Sequence, residues 1–137
     1  MSTRHVSAAE LRKLMPGSRD SHESLQDAVI AYLRLVARLP VTPIYTGAIA
    51  TFVAGKVHAR PNPEQAGIAD LIVALPPYGR LWLLELKTGG ACRRPLQVRK
   101  AREYEAAGAL CTVARSVDDV RQVVDANATQ HNLRRKA

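Results

Sequence analysis

The chain has 137 residues, 47% of them hydrophobic, and a formal net charge of +8. This length suits one compact domain, and the apolar fraction is sufficient for a hydrophobic core, which argues against a disordered chain. The excess of positive charge favours a polyanionic partner, either nucleic acid or an anionic membrane surface. Because the sequence has no lipidation signal and no Lys/Arg-rich amphipathic helix, we favour nucleic acid.

The two cysteines and the N-terminus exclude several other classes of protein. Cys92 and Cys111 lack the spacing of a metal-binding motif, and two thiols are too few for a disulfide scaffold. The first residues contain no apolar signal segment, and no run approaches the ~20 apolar residues of a membrane span. We therefore expect a cytoplasmic protein with reduced thiols and no membrane association.

The first third of the chain predicts a basic arm followed by an amphipathic helix. Residues 1–19 are polar and basic, and we expect them to form a loosely held N-terminal arm. Asp20 or Ser21 can cap the helix, and Pro40 marks its end. The apolar residues of this helix recur on one face, and they are Leu25, Ala28, Val29, Tyr32, Leu33 and Val36.

The middle of the chain predicts three extended segments. Residues 43–60 are typical of a hairpin or a bent strand, with glycines as bend points. Residues 68–75 and residues 81–86 are short apolar runs of the kind found in buried central strands. The tight turn at residues 76–80 makes these two strands an antiparallel hairpin.

The last third of the chain predicts a helix, a strand and a final helix. Pro95 fits the first position of the helix, and Gly108 fits its end. Residues 110–115 form the strand, and Ser116 caps a helix that we expect to end near Ala128. The chain thus divides into the arm at 1–19, one α/β domain at 20–128 and a basic C-terminal tail at 129–137.

Two carboxylates interrupt the two most apolar strands, with Asp70 near the start of one and Glu85 near the end of the other. In an antiparallel hairpin these ends lie side by side, and Lys87 shares the face of Glu85 because side chains alternate. Two carboxylates ~4 Å apart repel by about 4 kcal/mol at an effective dielectric constant near 20. Mg²⁺ or Mn²⁺ would offset this repulsion. A strand-end salt bridge between Glu85 and Lys87 is the structural alternative.

The order of these residues resembles the PD-(D/E)XK nuclease superfamily, and within it the stand-alone VRR-NUC domains of phages and bacteria. The resemblance is carried by Gly67-Ile68-Ala69-Asp70, by Glu85-Leu86-Lys87 and by Gln97. The segment Glu23-Ser24-Leu25-Gln26 and residues 107–116 extend it, so that it covers residues 20–125. It implies a restriction-endonuclease-like fold with an αβββαβ core, in which a mixed central sheet is flanked by helices.

The same resemblance implies a metal-dependent nuclease that hydrolyses DNA. Asp70, Glu85 and the backbone carbonyl of Leu86 would bind Mg²⁺ or Mn²⁺. Lys87 would position the attacking water and favour its deprotonated form. A small structural protein with a strand-end ion pair is the alternative that needs no metal.

Two further residues take roles from the resemblance, and one segment departs from it. Glu23 would contribute to a second metal or to the outer shell, or it would simply complement the helix dipole. Gln97 would orient the lysine or the water, and a surface glutamine is the alternative. The segment Arg93-Arg94-Pro95-Leu96 departs from the family, where a small polar residue more often precedes the proline, and this puts local substrate contacts in doubt.

A basic segment follows the proposed site, since no acidic residue occurs from Leu86 to Arg102. Beyond Lys87 its cations are Arg93, Arg94, Arg99, Lys100 and Arg102. We expect these to contact DNA phosphates, although a solvated helix face is the alternative. Aromatic residues make up only 4% of the chain, which argues against base stacking and favours recognition of backbone and shape.

The biological setting also comes from the resemblance alone. It implies branched DNA as the substrate, either a Holliday junction or a flap, and a role in DNA repair or recombination in a bacterial or phage-infected cell. A homodimer would match the two-fold symmetry of a four-way junction. A non-catalytic nucleic-acid-binding module of the same fold needs only the basic surface, and it stays open at this point.

Overall fold

The structure is a computed structural model that describes residues 21–44, 48–61 and 64–132. The N-terminal arm and the end of the C-terminal tail predicted from the sequence lie outside these residues. The helices and strands are α1 (Ser21–Leu35), β1 (Val41–Pro43), β2 (Ala48–Val53), β3 (Lys56–Pro61), β4 (Leu71–Leu75), β5 (Arg80–Leu86), α2 (Pro95–Ala106), β6 (Leu110–Ala114) and α3 (Val117–Gln130).

Four of the strands form a mixed sheet in the order β1-β4-β5-β6. Strand β4 pairs antiparallel with both β1 and β5, whereas β6 runs parallel to β5. The prediction of an α/β fold around a mixed sheet, with an antiparallel β4–β5 hairpin, is confirmed.

The segment predicted as a hairpin or a bent strand divides into two parts. Strand β1 joins the sheet, while β2 and β3 pair with each other as a separate antiparallel hairpin. The chain reverses at Ala54 and Gly55, which both have positive φ, at 50° and 75°. Positive φ at both turn residues matches the twist of a tight hairpin. Strands β2 and β3 are therefore joined by a two-residue turn, and not by a bend within one strand.

The sheet carries helices on both faces. Its core side is packed by Val29 and Leu33 of α1 and by Val120 of α3, all fully buried. Trp82 is the largest fully buried residue on this side, and its Nε1 donates to Oγ1 of Thr112 at 2.8 Å, which links β5 to β6. Helix α2 lies against the opposite face, where it contacts β6.

The start of α3 and the end of α2 follow their predicted signals, whereas α1 ends at Leu35, before the predicted end at Pro40. Ser116 caps α3, since its Oγ accepts from the backbone N–H of Asp119 at 3.2 Å. Gly108, with φ of +103°, follows the end of α2. Val36 was predicted to belong to the buried stripe but is 67% exposed, because α1 ends at Leu35 and the chain turns there. None of the described helices is long and apolar enough to cross a membrane.

Candidate metal centre and nucleic-acid cleft

Asp70 and Glu85 lie at the same end of the β4–β5 hairpin. Leu71 of β4 pairs with Leu84 of β5. Asp70, which precedes Leu71, therefore lies beside Glu85, which follows Leu84. The carbonyl of Asp70 accepts from the backbone N–H of Ile44 at 2.8 Å, which holds its backbone against the end of β1. The Oδ2 atom of Asp70 accepts from the N–H of Leu86, also at 2.8 Å. Asp70 is therefore fixed from both neighbouring strands.

Alternation along β5 separates the core from the site. Trp82, Leu84 and Leu86 belong to the core cluster, whereas Glu85 and Lys87 face α2. Glu85 is only 7% exposed, and it is the single buried charged residue in the part of the chain that the structure describes. A charge so placed is costly unless it is paired or binds a metal.

Gln97 links the site residues of β5 to helix α2. Its Nε2 donates to Oε1 of Glu85 at 2.8 Å, and its Oε1 accepts from Nζ of Lys87 at 3.1 Å. The same oxygen accepts from the backbone N–H of Arg94 at 2.8 Å, at the start of α2. Lys87 Nζ also lies 3.4 Å from Oε1 of Glu85. The structure thus brings Glu85, Lys87 and Gln97 into one hydrogen-bonded network next to Asp70.

Lys87 only partly balances the negative charge of Asp70 and Glu85. Burial of Glu85, followed by repulsion from Asp70, raises the pKa of Glu85 from 4.5 to about 7, and Lys87 offsets only part of this rise. Because the pKa is higher in the folded state, the stability that Glu85 contributes is fully present below about pH 4.5. It is lost as the pH rises through about 7. At higher pH the folded protein holds two neighbouring carboxylates opposite one lysine.

The donor set fits a hard divalent cation. Asp70 and Glu85 offer carboxylate oxygens, and the Leu86 carbonyl lies on the Asp70 side, because the N–H and C=O of a strand residue point the same way. Within the described residues, no three His, Cys, Asp or Glu side chains converge as a metal cluster. Two carboxylates and a carbonyl are a sparse set, of the kind that holds Mg²⁺ together with water and substrate phosphate.

His22 is a neighbour of the site that the sequence did not reveal. Its Nε2 lies 3.5 Å from Oδ2 of Asp70. His22 precedes Leu25 by three residues and Val29 by seven, so it extends the inward face of α1 by one turn. That spacing was the available signal, but a histidine spacing typical of metal ligands is absent. Glu23 lies in the first turn with an exposed side chain, and its role as a ligand stays a prediction.

The structure explains why a glycine occupies the first position of the segment Gly67-Ile68-Ala69-Asp70. Gly67 has φ of +79°, and a Cβ built there would lie 2.8 Å from Cγ and 2.9 Å from the carbonyl oxygen of Leu96. The loop that leads to Asp70 therefore touches the first turn of α2, the turn that also carries Gln97. This contact joins the two halves of the site.

We expect Gly67→Ala to destabilise the protein by roughly 2–3 kcal/mol, because it adds both backbone strain and a clash with Leu96. Gly79→Ala is a matched control, since Gly79 has φ of +73° and no described residue has an atom within 4 Å of its Cβ position. Its cost should be limited to strain, of about 1 kcal/mol. Urea unfolding of both variants measures the difference, and equal losses would contradict the close contact.

The five predicted phosphate-binding cations fall into two groups. Arg93 and Lys100 line the cleft that contains Glu85 and Gln97. The other three, Arg94, Arg99 and Arg102, are exposed and do not line this cleft. The structure therefore places only two of the five beside the site, and phosphate contact by all five stays a prediction.

Several solved structures share this fold, and two of them are VRR-NUC domains. One, described as a "VRR_NUC domain", is 19% identical with a TM-score of 0.54, and the match covers 78% of this chain and 97% of that one. The other, a "VRR_NUC domain protein", is 18% identical with a TM-score of 0.51, and the match covers 82% and 92%. No family model matches the sequence, and no curated protein does. The chain has the fold of a VRR-NUC domain.

Proposed function

We propose that this chain is a nuclease that uses Mg²⁺ or Mn²⁺ to hydrolyse phosphodiester bonds in DNA. The observation that carries the proposal is the paired Asp70 and Glu85, with Lys87 held beside them by Gln97. A nucleic-acid-binding module has no use for a charged network placed at the end of a buried strand. The VRR-NUC fold supports the same conclusion, although a fold alone does not define an activity.

Each residue of the network has a chemical task in this reaction. Asp70, Glu85 and the Leu86 carbonyl would hold the metal ion, which when bound supplies Lewis-acid stabilisation of charge on the scissile phosphate. Lys87, kept in place by Gln97, orients the attacking water and favours its deprotonated form. Arg93 and Lys100 hold the phosphates next to the cleaved bond.

The substrate that we propose is branched DNA, such as a Holliday junction or a flap, processed during DNA repair or recombination in the cytoplasm. The resemblance described above supports this choice. The low aromatic content supports recognition of backbone and shape. A homodimer would present two sites to a four-way junction.

The direct test is cleavage of labelled four-way junction, flap, duplex and single-stranded DNA with Mg²⁺, Mn²⁺ or EDTA. We expect cleavage that requires metal and that falls by at least about 100-fold in Lys87→Ala. Arg121→Ala is a control for loss of charge, because Arg121 is exposed on α3 and pairs with Asp118. Binding without cleavage in every metal would identify a non-catalytic module instead.

Metal binding can be measured independently of cleavage, through its effect on the melting temperature. Mg²⁺ or Mn²⁺ should stabilise the folded protein, by about 2.7 kcal/mol at a concentration 100 times the Kd. Asp70→Asn should remove this rise while keeping an acceptor for the Leu86 N–H. Because it also removes a repulsive charge beside Glu85, Asp70→Asn should melt higher than the wild type when both lack metal at alkaline pH. A metal-induced rise that persists in Asp70→Asn would contradict the assigned site.

A further inference from the structure

Arg93 lies between two neighbouring concave surfaces. One is the cleft that contains Glu85 and Gln97. The other is an open groove between β6, α3 and the loop at residues 88–94, which we call the β6–α3 groove. Its polar lining residues are Cys92, Arg93, Thr112, Arg115, Asp119 and Gln122. The cleft has a volume of only about 20 Å³, which is enough for about one water molecule, whereas the groove measures about 630 Å³. A chain-like ligand that runs along the surface at Arg93 would enter the groove.

Arg115 is held at the wall of the groove by its neighbours. Its Nη1 donates to the carbonyl of Gly89 at 3.2 Å, and its backbone N–H donates to Oδ2 of Asp119 at 2.9 Å. The guanidinium group thus lies against the loop that follows Lys87. A guanidinium has five N–H donors, and the contact with Gly89 uses one of the three nitrogens, so other donors can bind a ligand.

The chemistry of the groove fits a phosphodiester backbone. Among the residues that the structure describes, the groove has two arginines and one carboxylate, that of Asp119, which already accepts a backbone hydrogen bond. None of the described residues that line the groove is aromatic, so they offer no platform for base stacking. Arginine binds phosphate oxygens in a planar, two-pronged geometry without reading the base sequence.

We propose that the β6–α3 groove binds the phosphodiester backbone of a nucleic-acid strand that continues past Arg93, with Arg115 as a phosphate contact. The strand passes Arg93, which lines both surfaces, before it reaches Arg115. This inference rests on the nucleic-acid-binding part of the proposed function and adds a binding site to it. Arg115 lies outside the basic segment that the sequence marked.

Binding measured in EDTA isolates this contact from cleavage. Fluorescence anisotropy with an oligonucleotide that spans both surfaces should show that Arg115→Ala weakens binding roughly 10-fold. The slope of log K against log salt concentration should fall by about one. Arg115→Lys should restore most of the salt dependence. Arg121→Ala removes the same charge outside the groove and should leave the affinity near that of the wild type. Equal effects of Arg115→Ala and Arg121→Ala would overturn the proposal.

Cys92 provides a second measurement that leaves Arg115 intact. Its thiol is exposed in the groove, whereas Cys111 lines the cleft. In a Cys111→Ser variant, saturating oligonucleotide in EDTA should slow the alkylation of Cys92 by a maleimide. Separate runs with single-stranded and duplex DNA distinguish the two forms of the ligand. Protection by either one supports the groove, and an unchanged rate with both overturns it.

The two proposals fail in different ways. A protein that cleaves DNA but shows neither the Arg115 effect nor Cys92 protection is a nuclease without this binding groove. A protein that never cleaves, yet shows both effects in EDTA, has the groove without the catalytic activity.

Discussion

The apparent affinity for Mg²⁺ or Mn²⁺ is expected to rise about 10-fold per pH unit up to about pH 7 and to level off above it. Below that pH, Glu85 carries a proton because burial and Asp70 disfavour its charge. A metal ion must displace this proton before it can use the carboxylate. From about pH 5 to about pH 8 the affinity should therefore change roughly 100-fold.

Calorimetric titration with Mn²⁺ across this pH range measures both the affinity and the protons released. Near pH 6 we expect the release of close to one proton per metal ion bound, and almost none at about pH 8.5. Glu85→Gln removes the titrating group, so its weaker binding should lose most of this pH dependence. An affinity that is independent of pH in the wild type would contradict the protonated carboxyl of Glu85.

Gln97→Leu is expected to lower kcat by about 10- to 100-fold with a smaller effect on KM. The leucine is similar in size but provides neither the donor to Glu85 nor the acceptor for Lys87. Lys87 then loses its contact with Gln97 and keeps the one with Glu85, so it should orient the proposed attacking water less well. The lost acceptor for the N–H of Arg94 should also cost about 1 kcal/mol of stability at the start of α2.

Steady-state cleavage kinetics and urea unfolding separate these two effects. Gln130→Leu on α3 is a control for loss of an exposed glutamine, and it should leave both measurements near wild type. Gln97→Glu keeps the acceptor for Lys87 and for Arg94 but adds a third carboxylate next to Glu85. It should raise the pKa of Glu85 further and move the metal-binding profile to higher pH. A wild-type kcat in Gln97→Leu would show that this residue does not position the lysine.

The arrangement around Glu85 was predictable because it depends on local periodicity. Strand alternation places Lys87 on the face of Glu85, and a tight turn places Asp70 opposite. Pro95 set the start of α2, which puts Gln97 in its first turn. Each of these relations spans one hairpin or one helical turn. Such relations can be read without knowing the tertiary fold.

The contacts that the sequence did not reveal depend on how distant elements pack. His22 meets Asp70 only because α1 crosses the end of the hairpin. Arg115 meets the loop after Lys87 only because β6 returns parallel to β5. Val36 was assigned to the buried face since periodicity does not show where a helix stops. The sequence identified the basic segment after Lys87, but it did not show which cations of that segment line the cleft.

The backbone N–H of Lys87 donates to the carbonyl of Ala114 at 3.0 Å, although Lys87 lies one residue beyond β5. The hydrogen bonding between β5 and β6 therefore continues through Lys87, and the loop begins only after this residue. The sheet thus holds Lys87, whereas Arg93 belongs to the loop that follows it. A change in the sequence of this loop should therefore alter the surface around Arg93 before it disturbs the hydrogen bond that holds the lysine backbone.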